Sequence, residues 1–252
     1  MKNSDRRLTA ETPMSSAVSA IRATIDPLHW ESEFFNLSSG KLNFSSSAPV
    51  LTPAALARYA LTQAKIPANN LALADALANI GFRLVEGEVD LCLSVDDAPA
   101  TMVSLRQRLA ERADIPQLRQ AAAQVFSLSR FRAPWFQSTD SGRFYARWIE
   151  NAVLGVFDDL CLLVEDDNGQ PQGWVTIRQC DDQEARIGLL GVFPGIAGHG
   201  VGSQLMALAE TWCRQQGIQR LRVATQVGNV AALRLYLRRG ARIERTAYWL
   251  YR

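Results

Sequence analysis

Histidine and cysteine are both scarce. His29 and His199 are the only histidines in 252 residues, and the four cysteines (Cys92, Cys161, Cys180 and Cys213) form no C-x-x-C pair. That spacing excludes the common zinc and dithiol sites, so no metal is expected. The cysteines read as free thiols of a reducing compartment, mostly packed as small apolar side chains. No apolar run approaches the ~20 residues that span a bilayer, and the N-terminus lacks the charged-then-apolar pattern of a secretory signal. The expectation is a cytoplasmic protein with no membrane partner. Excess charge is missing as well. Lys and Arg number 27 against 25 Asp and Glu, a net +2, which gives no field to gather nucleic acid. Internal repeats and low-complexity segments are absent too.

Hydrophobic residues make up 48%, ordinary for a globular chain, and the length suits one large domain or two small ones. Residues 1–20 are small and polar and read as a flexible extension. Residues 21–95 read as a small α/β unit anchored by Trp30, Phe34 and Phe35. Thr52 and Pro53 give the cap-then-proline signal and predict a helix over 54–62. A second helix is expected over Leu71–Asn79, stopping at Gly81. From Phe82 to Leu93 apolar and charged residues alternate, the mark of a strand with one buried face. Residues 96–103 read as a linker, and 104–252 as a second domain. In that domain a helix begins near Asp114-Ile115-Pro116, and a basic, aromatic loop covers 126–140. Another helix covers 143–154. Strands at Leu160–Glu165 and 173–178 flank the hairpin turn Asp166-Asp167-Asn168-Gly169.

The most informative stretch runs from Ala185 to Arg252. An apolar strand over 185–193 ends at Pro194-Gly195 and is followed by Gly198-His199-Gly200-Val201-Gly202-Ser203. Leu205, Leu208, Ala209 and Trp212 then share one helical face, and Gly217 stops the helix. The first turn of a helix carries unpartnered N–H groups and positive dipole potential, and glycines let an anion approach the backbone. Together these make a phosphate cradle. It lacks the lysine of a Walker loop and lies too late in the chain for a dinucleotide fingerprint. Taken alone, the glycines fit a plain connecting turn as well. Next come a strand over 221–225, Asn229 as the cap of a helix over 230–239, Gly240 as its stop, and a strand over 242–251.

This order resembles the C-terminal half of the GCN5-related N-acetyltransferase (GNAT) family. Val192-Phe193-Pro194 followed by Gly198-x-Gly200-x-Gly202 is similar to its cofactor motif. Asn229 to Gly240 is similar to its Asn-x-x-Ala-x-x-x-Tyr-x-x-x-Gly signature. Ala197 departs from the Arg or Gln usual before the first glycine, which removes a side-chain contact and leaves the backbone cradle. From about Ile21 onward the chain also resembles members that acetylate a dTDP-linked amino sugar. Strings such as Ser129-Arg130-Phe131-Arg132-Ala133-Pro134-Trp135 and Ala247-Tyr248-Trp249-Leu250-Tyr251-Arg252 carry that likeness. The resemblance implies an α/β fold with a mixed, mostly antiparallel sheet splayed at the cofactor, preceded by a smaller truncated domain of the same kind. It implies acetyl-coenzyme A as cosubstrate and direct attack in a ternary complex. The implied acceptor is dTDP-4-amino-4,6-dideoxygalactose, of enterobacterial common antigen synthesis. Oligomeric state is left open, a homodimer among the options.

Roles follow for particular residues. Tyr236 is the expected general acid, since a phenol with pKa near ~10 can protonate a departing thiolate. The backbone of Leu190, Gly191 and Val192 is expected along the acetyl carbonyl and pantetheine, with the Leu190 and Val192 N–H groups as donors. Gly198, His199, Gly200, Val201, Gly202 and Ser203 would cradle the pyrophosphate. Asn229 would cap its helix and bond the pantetheine arm or a water. Glu86 is the expected acceptor of the amine's proton, directly or through water, while Glu88, on the same strand face, reads as solvated charge. Arg130 and Arg132 would pair with the diphosphate, and Trp135 or Phe136 would stack on thymine. Two rivals stand: the same chemistry on another amine, such as a protein N-terminus or another amino sugar, and a non-catalytic acyl-coenzyme-A-binding module.

Overall fold

The computed structural model describes residues 20–96, 103–196 and 199–252. The expected N-terminal extension and most of the expected linker lie outside them. The chain opens with β1 (Ala23–Pro27), α1 (His29–Phe35), β2 (Ser39–Phe44), α2 (Pro53–Leu56), β3 (Leu61–Pro67), α3 (Leu71–Asn79) and β4 (Arg83–Ser94). It continues with β5 (Arg106–Leu109), α4 (Ile115–Val125), α5 (Asp140–Val153), β6 (Leu160–Glu165), β7 (Pro171–Gln179) and β8 (Glu184–Val192). The last elements are α6 (Val201–Gln215), β9 (Arg220–Gln226), α7 (Val230–Arg238) and β10 (Arg242–Tyr251).

All ten strands form one open sheet in the order β1-β2-β3-β10-β4-β9-β8-β7-β6-β5. Among the described residues only β2 with β3 and β8 with β9 run parallel, so the sheet is mixed and mostly antiparallel. The expected domain boundary does not interrupt it. β4, encoded before the linker, is hydrogen-bonded between β10 and β9, both encoded after it.

Two helical layers enclose this sheet. On one face α6 buries Val201, Leu205, Leu208 and Ala209 against Val89 and Leu91 of β4 and Val223 of β9. Each fully buried side chain of this size contributes about 1.5–3 kcal/mol. On the other face α4 and α5 pack Leu118, Ala122 and Ile149 against Leu163, Trp174 and Leu189. Because β4 alternates, Val89 and Leu91 turn to α6 while Glu86, Glu88 and Asp90 turn to the opposite face. α7 is capped by the Asn229 side chain, which accepts from the Ala232 N–H at 3.2 Å, and it ends before Gly240 at φ 89°. A buried ion pair between Arg239 and Glu210 fastens its end to α6.

The helix expected over 54–62 is corrected. The cap is present, with Thr52 Oγ1 accepting from the Ala55 N–H at 3.2 Å, but the helix ends at Leu56. The following residues form β3, whose Leu61, Thr62, Gln63, Ala64 and Ile66 are buried between β2 and β10. A strand buried on both faces shows no alternation, so its pattern runs on from a helix start.

Candidate active site

Between β8 and β9 the sheet opens. β8 extends to Val192 and β9 to Gln226, yet their pairing stops at Ile187 opposite Val223. The cause is an extra residue in β8. Its register with β7 passes from Ile177↔Ile187 to Val175↔Leu190, and such a bulge bends a strand away from its neighbour. A buried clasp fixes the bulge. Thr176 Oγ1 accepts from the Leu189 N–H at 2.8 Å and donates to Asp158 Oδ2 at 2.7 Å, which also accepts from Trp148 Nε1 at 2.8 Å. The Leu189 and Phe193 N–H groups thus point to β7, Phe193 donating to the Gln172 carbonyl at 3.0 Å. Backbone donors alternate sides along a strand, so those of Leu190 and Val192 point into the opening. Gly191 lets β8 lie against Trp174, since a Cβ there would fall 2.3 Å from the indole.

Beside the opening, α6 begins at Gly200, whose φ of 76° favours glycine, and no side chain caps the helix. The Ser203 and Gln204 N–H groups return to the Gly200 carbonyl at 3.0 and 3.2 Å. Those of Val201 and Gly202 have no acceptor among the described residues and meet the positive end of a 15-residue helix. Gly198 lies outside the described residues. His199 is exposed, its Nδ1 3.0 Å from the Ile196 carbonyl. Leu235 of α7 packs against Gly202, which sets α7 beside the start of α6.

Tyr236, one residue further along α7, is 5% exposed and part of the core under α6. Its hydroxyl has no hydrogen-bond partner among the described residues. Burial pushes its pKa up to about 12, so the phenol is protonated at every working pH.

On the other face two carboxylates share β4 and differ in state. Burial alone would raise Glu88. Hydrogen bonds from Lys65 Nζ at 2.6 Å and Trp249 Nε1 at 2.9 Å, with the charge of Lys65, instead hold it below the ordinary carboxylate value. Glu86 makes no ion pair among the described residues. Burial pushes it up to about 7, with help from the negative Glu88 and against Arg130, a hydrogen bond from Gln226 and Arg132. Val227, next after the end of β9, donates its N–H to the Gly87 carbonyl at 2.8 Å, so the Glu86 segment of β4 is tied to the lip of the opening.

The comparisons with known proteins bear on this arrangement. The Acetyltransferase (GNAT) family model matches residues 122–241. A curated relative from Escherichia coli O6:H1, dTDP-fucosamine acetyltransferase, is 49% identical over 232 residues, 92% of this chain and 99% of that protein. The chain belongs to the GNAT family. Solved structures share the fold. A GCN5-related N-acetyltransferase from Kribbella flavida aligns with TM-score 0.57 and 18% identity over 93% of this chain and 90% of its own. One from Sphaerobacter thermophilus aligns with TM-score 0.57 and 17% identity over 76% of this chain, and this chain spans 59% of that longer protein.

As a GNAT acetyltransferase the chain uses acetyl-coenzyme A. The uncapped α6 start and the inward N–H groups of Leu190 and Val192 fit its pyrophosphate and its pantetheine arm. Among the described residues no group of three or more His, Cys, Asp or Glu is placed to hold a metal ion, and no helix is long and apolar enough to cross a membrane.

In this acetyltransferase the arginines of the basic loop make contacts within the protein. Arg130 lies between rings, 4.3 Å from Trp249 and 4.2 Å from Phe131. Its guanidinium donates to Gln63 Oε1 at 2.9 Å, Tyr251 Oη at 2.7 Å and Glu31 at 3.2 Å. Arg132 is exposed but donates to the carbonyls of Ala133 and Val85, both at 2.9 Å. Trp135 is half-buried under Arg83, and Phe136 is buried in the aromatic core. Both arginines already donate to protein oxygens. Sequence reasoning missed Lys65, Trp249 and Gln226, which set the two carboxylates. Lys65 is legible only once 61–67 is read as a strand.

Proposed function

We propose that the chain transfers the acetyl group of acetyl-coenzyme A to the 4-amino group of dTDP-4-amino-4,6-dideoxygalactose, in enterobacterial common antigen synthesis. The name of the 49% identical relative supports the acceptor. The observation that carries the chemistry is the opening between β8 and β9, with Glu86 tied to its lip and Tyr236 on the helix beyond. Acetyl-coenzyme A supplies an activated acetyl thioester. Glu86 takes the proton of the attacking amine, and Tyr236 gives one to the departing sulfur. The Leu190 and Val192 N–H groups hold the carbonyl oxygen as charge builds on it. The turn from Gly198 to Ser203 holds the pyrophosphate, with the Val201 and Gly202 N–H groups as donors, and Asn229 sets α7 and the pantetheine arm. Arg132 and Trp135 border the sugar, and Arg130 positions the Glu31 and Trp249 side of the site.

Residues 21–95 are on this reading a truncated domain of the same kind, joined through 96–103 to the acetyltransferase domain of 104–252. The support is that β1 to β3 lie together beyond β10. A cytoplasmic location and a homodimer complete the proposal. The four free cysteines favour the first, and light scattering on the full chain checks the second.

A mass-spectrometric screen of acceptor amines tests the substrate. The dTDP amino sugar should exceed peptide N-termini and free amino sugars by about 100-fold or more in kcat/KM, the scale that lost polar contacts give. Preference for a peptide N-terminus would overturn the reading.

The pyrophosphate loop is tested by Gly200→Val. Valine is strained at φ 76° and fills the space before α6, where none of the described residues lies within 4 Å of the Cβ position. Calorimetry should show acetyl-coenzyme A affinity down by about tenfold or more, as expected for lost charge-assisted bonds. Gly200→Ala should lie between the variant and wild type. Unchanged affinity in both would remove this loop from the site.

A further inference from the structure

Three arginines stand side by side across adjacent strands. Arg178 of β7 is opposite Arg186 of β8, and Arg186 is opposite Arg222 of β9. Directly paired residues share a face, and like charges so placed destabilise a sheet. A fourth, Arg245, is opposite Asp90 of β4.

The carboxylates nearby do not balance them. Arg222 is satisfied by Glu184 at 2.8 Å and Glu244 at 2.6 Å. Asp90 alone serves both Arg186 and Arg245, each at 3.2 Å. Arg178 lies over Phe157 at 4.4 Å and has no carboxylate partner among the described residues. Arg178, Arg186 and Arg245 border a cleft of about 800 Å³ with Lys65, Glu88, Asp90 and Glu244 also on its walls. It lies on the face of β4 that carries Glu86 and Glu88, opposite α6.

We propose that this cleft binds the nucleoside diphosphate of the acceptor, with Arg178, Arg186 and Arg245 holding the phosphates. The inference rests on the nucleotide-sugar reading above. Planar guanidinium forks match phosphate oxygens, and a diphosphate supplies the negative charge that the arginine row lacks. The cleft is large enough for a nucleotide-sized ligand. Its position fits the chemistry. Asp90 and Glu86 are four residues apart on β4, about 13 Å, a length that a hexose and its diphosphate cover together. A phosphate held at the Asp90 end leaves the sugar amine at Glu86 and the opening. Arg130 and Arg132 stand outside the cleft lining and are not needed for the diphosphate.

The test is calorimetric binding of dTDP to the full chain, with acetyl-coenzyme A measured in parallel. Arg178→Gln and Arg245→Gln should each weaken dTDP about tenfold, and the double variant about 100-fold, the range for single charge-assisted bonds. Acetyl-coenzyme A affinity should stay within about twofold of wild type in each, since the coenzyme lies on the other face. Arg132→Gln should bind dTDP like wild type. Arg186→Gln and Arg245→Gln each also lose a bond to Asp90, so Arg178→Gln, which breaks no ion pair among the described residues, is the cleanest single variant. If the double variant binds dTDP like wild type, or if Arg132→Gln shows the loss, the assignment of the cleft is wrong while the nucleotide-sugar reading stands. If wild type binds acetyl-coenzyme A but not dTDP, that reading and this inference fall together.

Discussion

Replacing Tyr236 by phenylalanine should lower kcat by about 10²–10⁴-fold, the range of a general acid. The ring and its packing in the core stay, so the fold and the affinity for acetyl-coenzyme A should change little. The proton is needed as the sulfur departs, not when the coenzyme docks, so the loss belongs in kcat. Burial that lifts Tyr236 to about 12 makes it a weaker acid than a phenol in water. The same dry site raises the proton affinity of a thiolate formed there, so the two remain matched. A donor thioester with a more acidic thiol should restore part of the rate. A variant within about threefold of wild type in single turnover, well below the general-acid range, would show that this proton comes from another group.

Glu86→Gln should cost a similar factor in kcat, about 10²–10⁴-fold, and should stabilise the fold. With Glu86 at about 7, the wild-type rate should fall about tenfold per pH unit below that value, because only the carboxylate accepts a proton. Glutamine should remove that limb. The folded state holds the Glu86 proton more tightly than the unfolded chain, whose carboxyl keeps the ordinary 4.5. Wild-type stability therefore falls as pH rises from 4.5 through about 7, and the full cost is present above 7. At pH 8 the variant should be more stable by roughly 1–2 kcal/mol, a Tm higher by about 2–8 °C, and at pH 5 the difference should shrink. An unchanged or lower Tm at pH 8, with activity kept, would mean that Glu86 is an ordinary surface carboxylate.

Much of the cofactor half was legible because it is built from local signals. Gly217 and Gly240 stop helices with positive φ, Asn229 caps through its own side chain, and β8 and β9 alternate in burial. These depend on neighbours within a turn or a pleat. The N-terminal half was read less well. β1, β2 and α1 are short, and β3 is buried on both faces, so none carries a clean period. Strand order was not legible at all. No local pattern says that β4 lies between β9 and β10, although this is what brings Glu86 to Gln226. The opening itself depends on one extra residue in β8, which the pattern of apolar residues over 185–193 does not mark. The surroundings of Arg130 were not legible for a related reason. Its charge suggested a phosphate ligand, while Glu31, Gln63 and Tyr251, distant in sequence, converge on it in the fold.

The most direct test of the central claim is thiol release from acetyl-coenzyme A, followed with and without dTDP-4-amino-4,6-dideoxygalactose while the sugar is analysed by mass. Direct transfer in a ternary complex predicts one thiol released per acetamido sugar formed, with no release and no acetylated protein when the sugar is omitted. Thiol release at the same rate without the sugar, or no acetamido sugar with both substrates saturating, would contradict it.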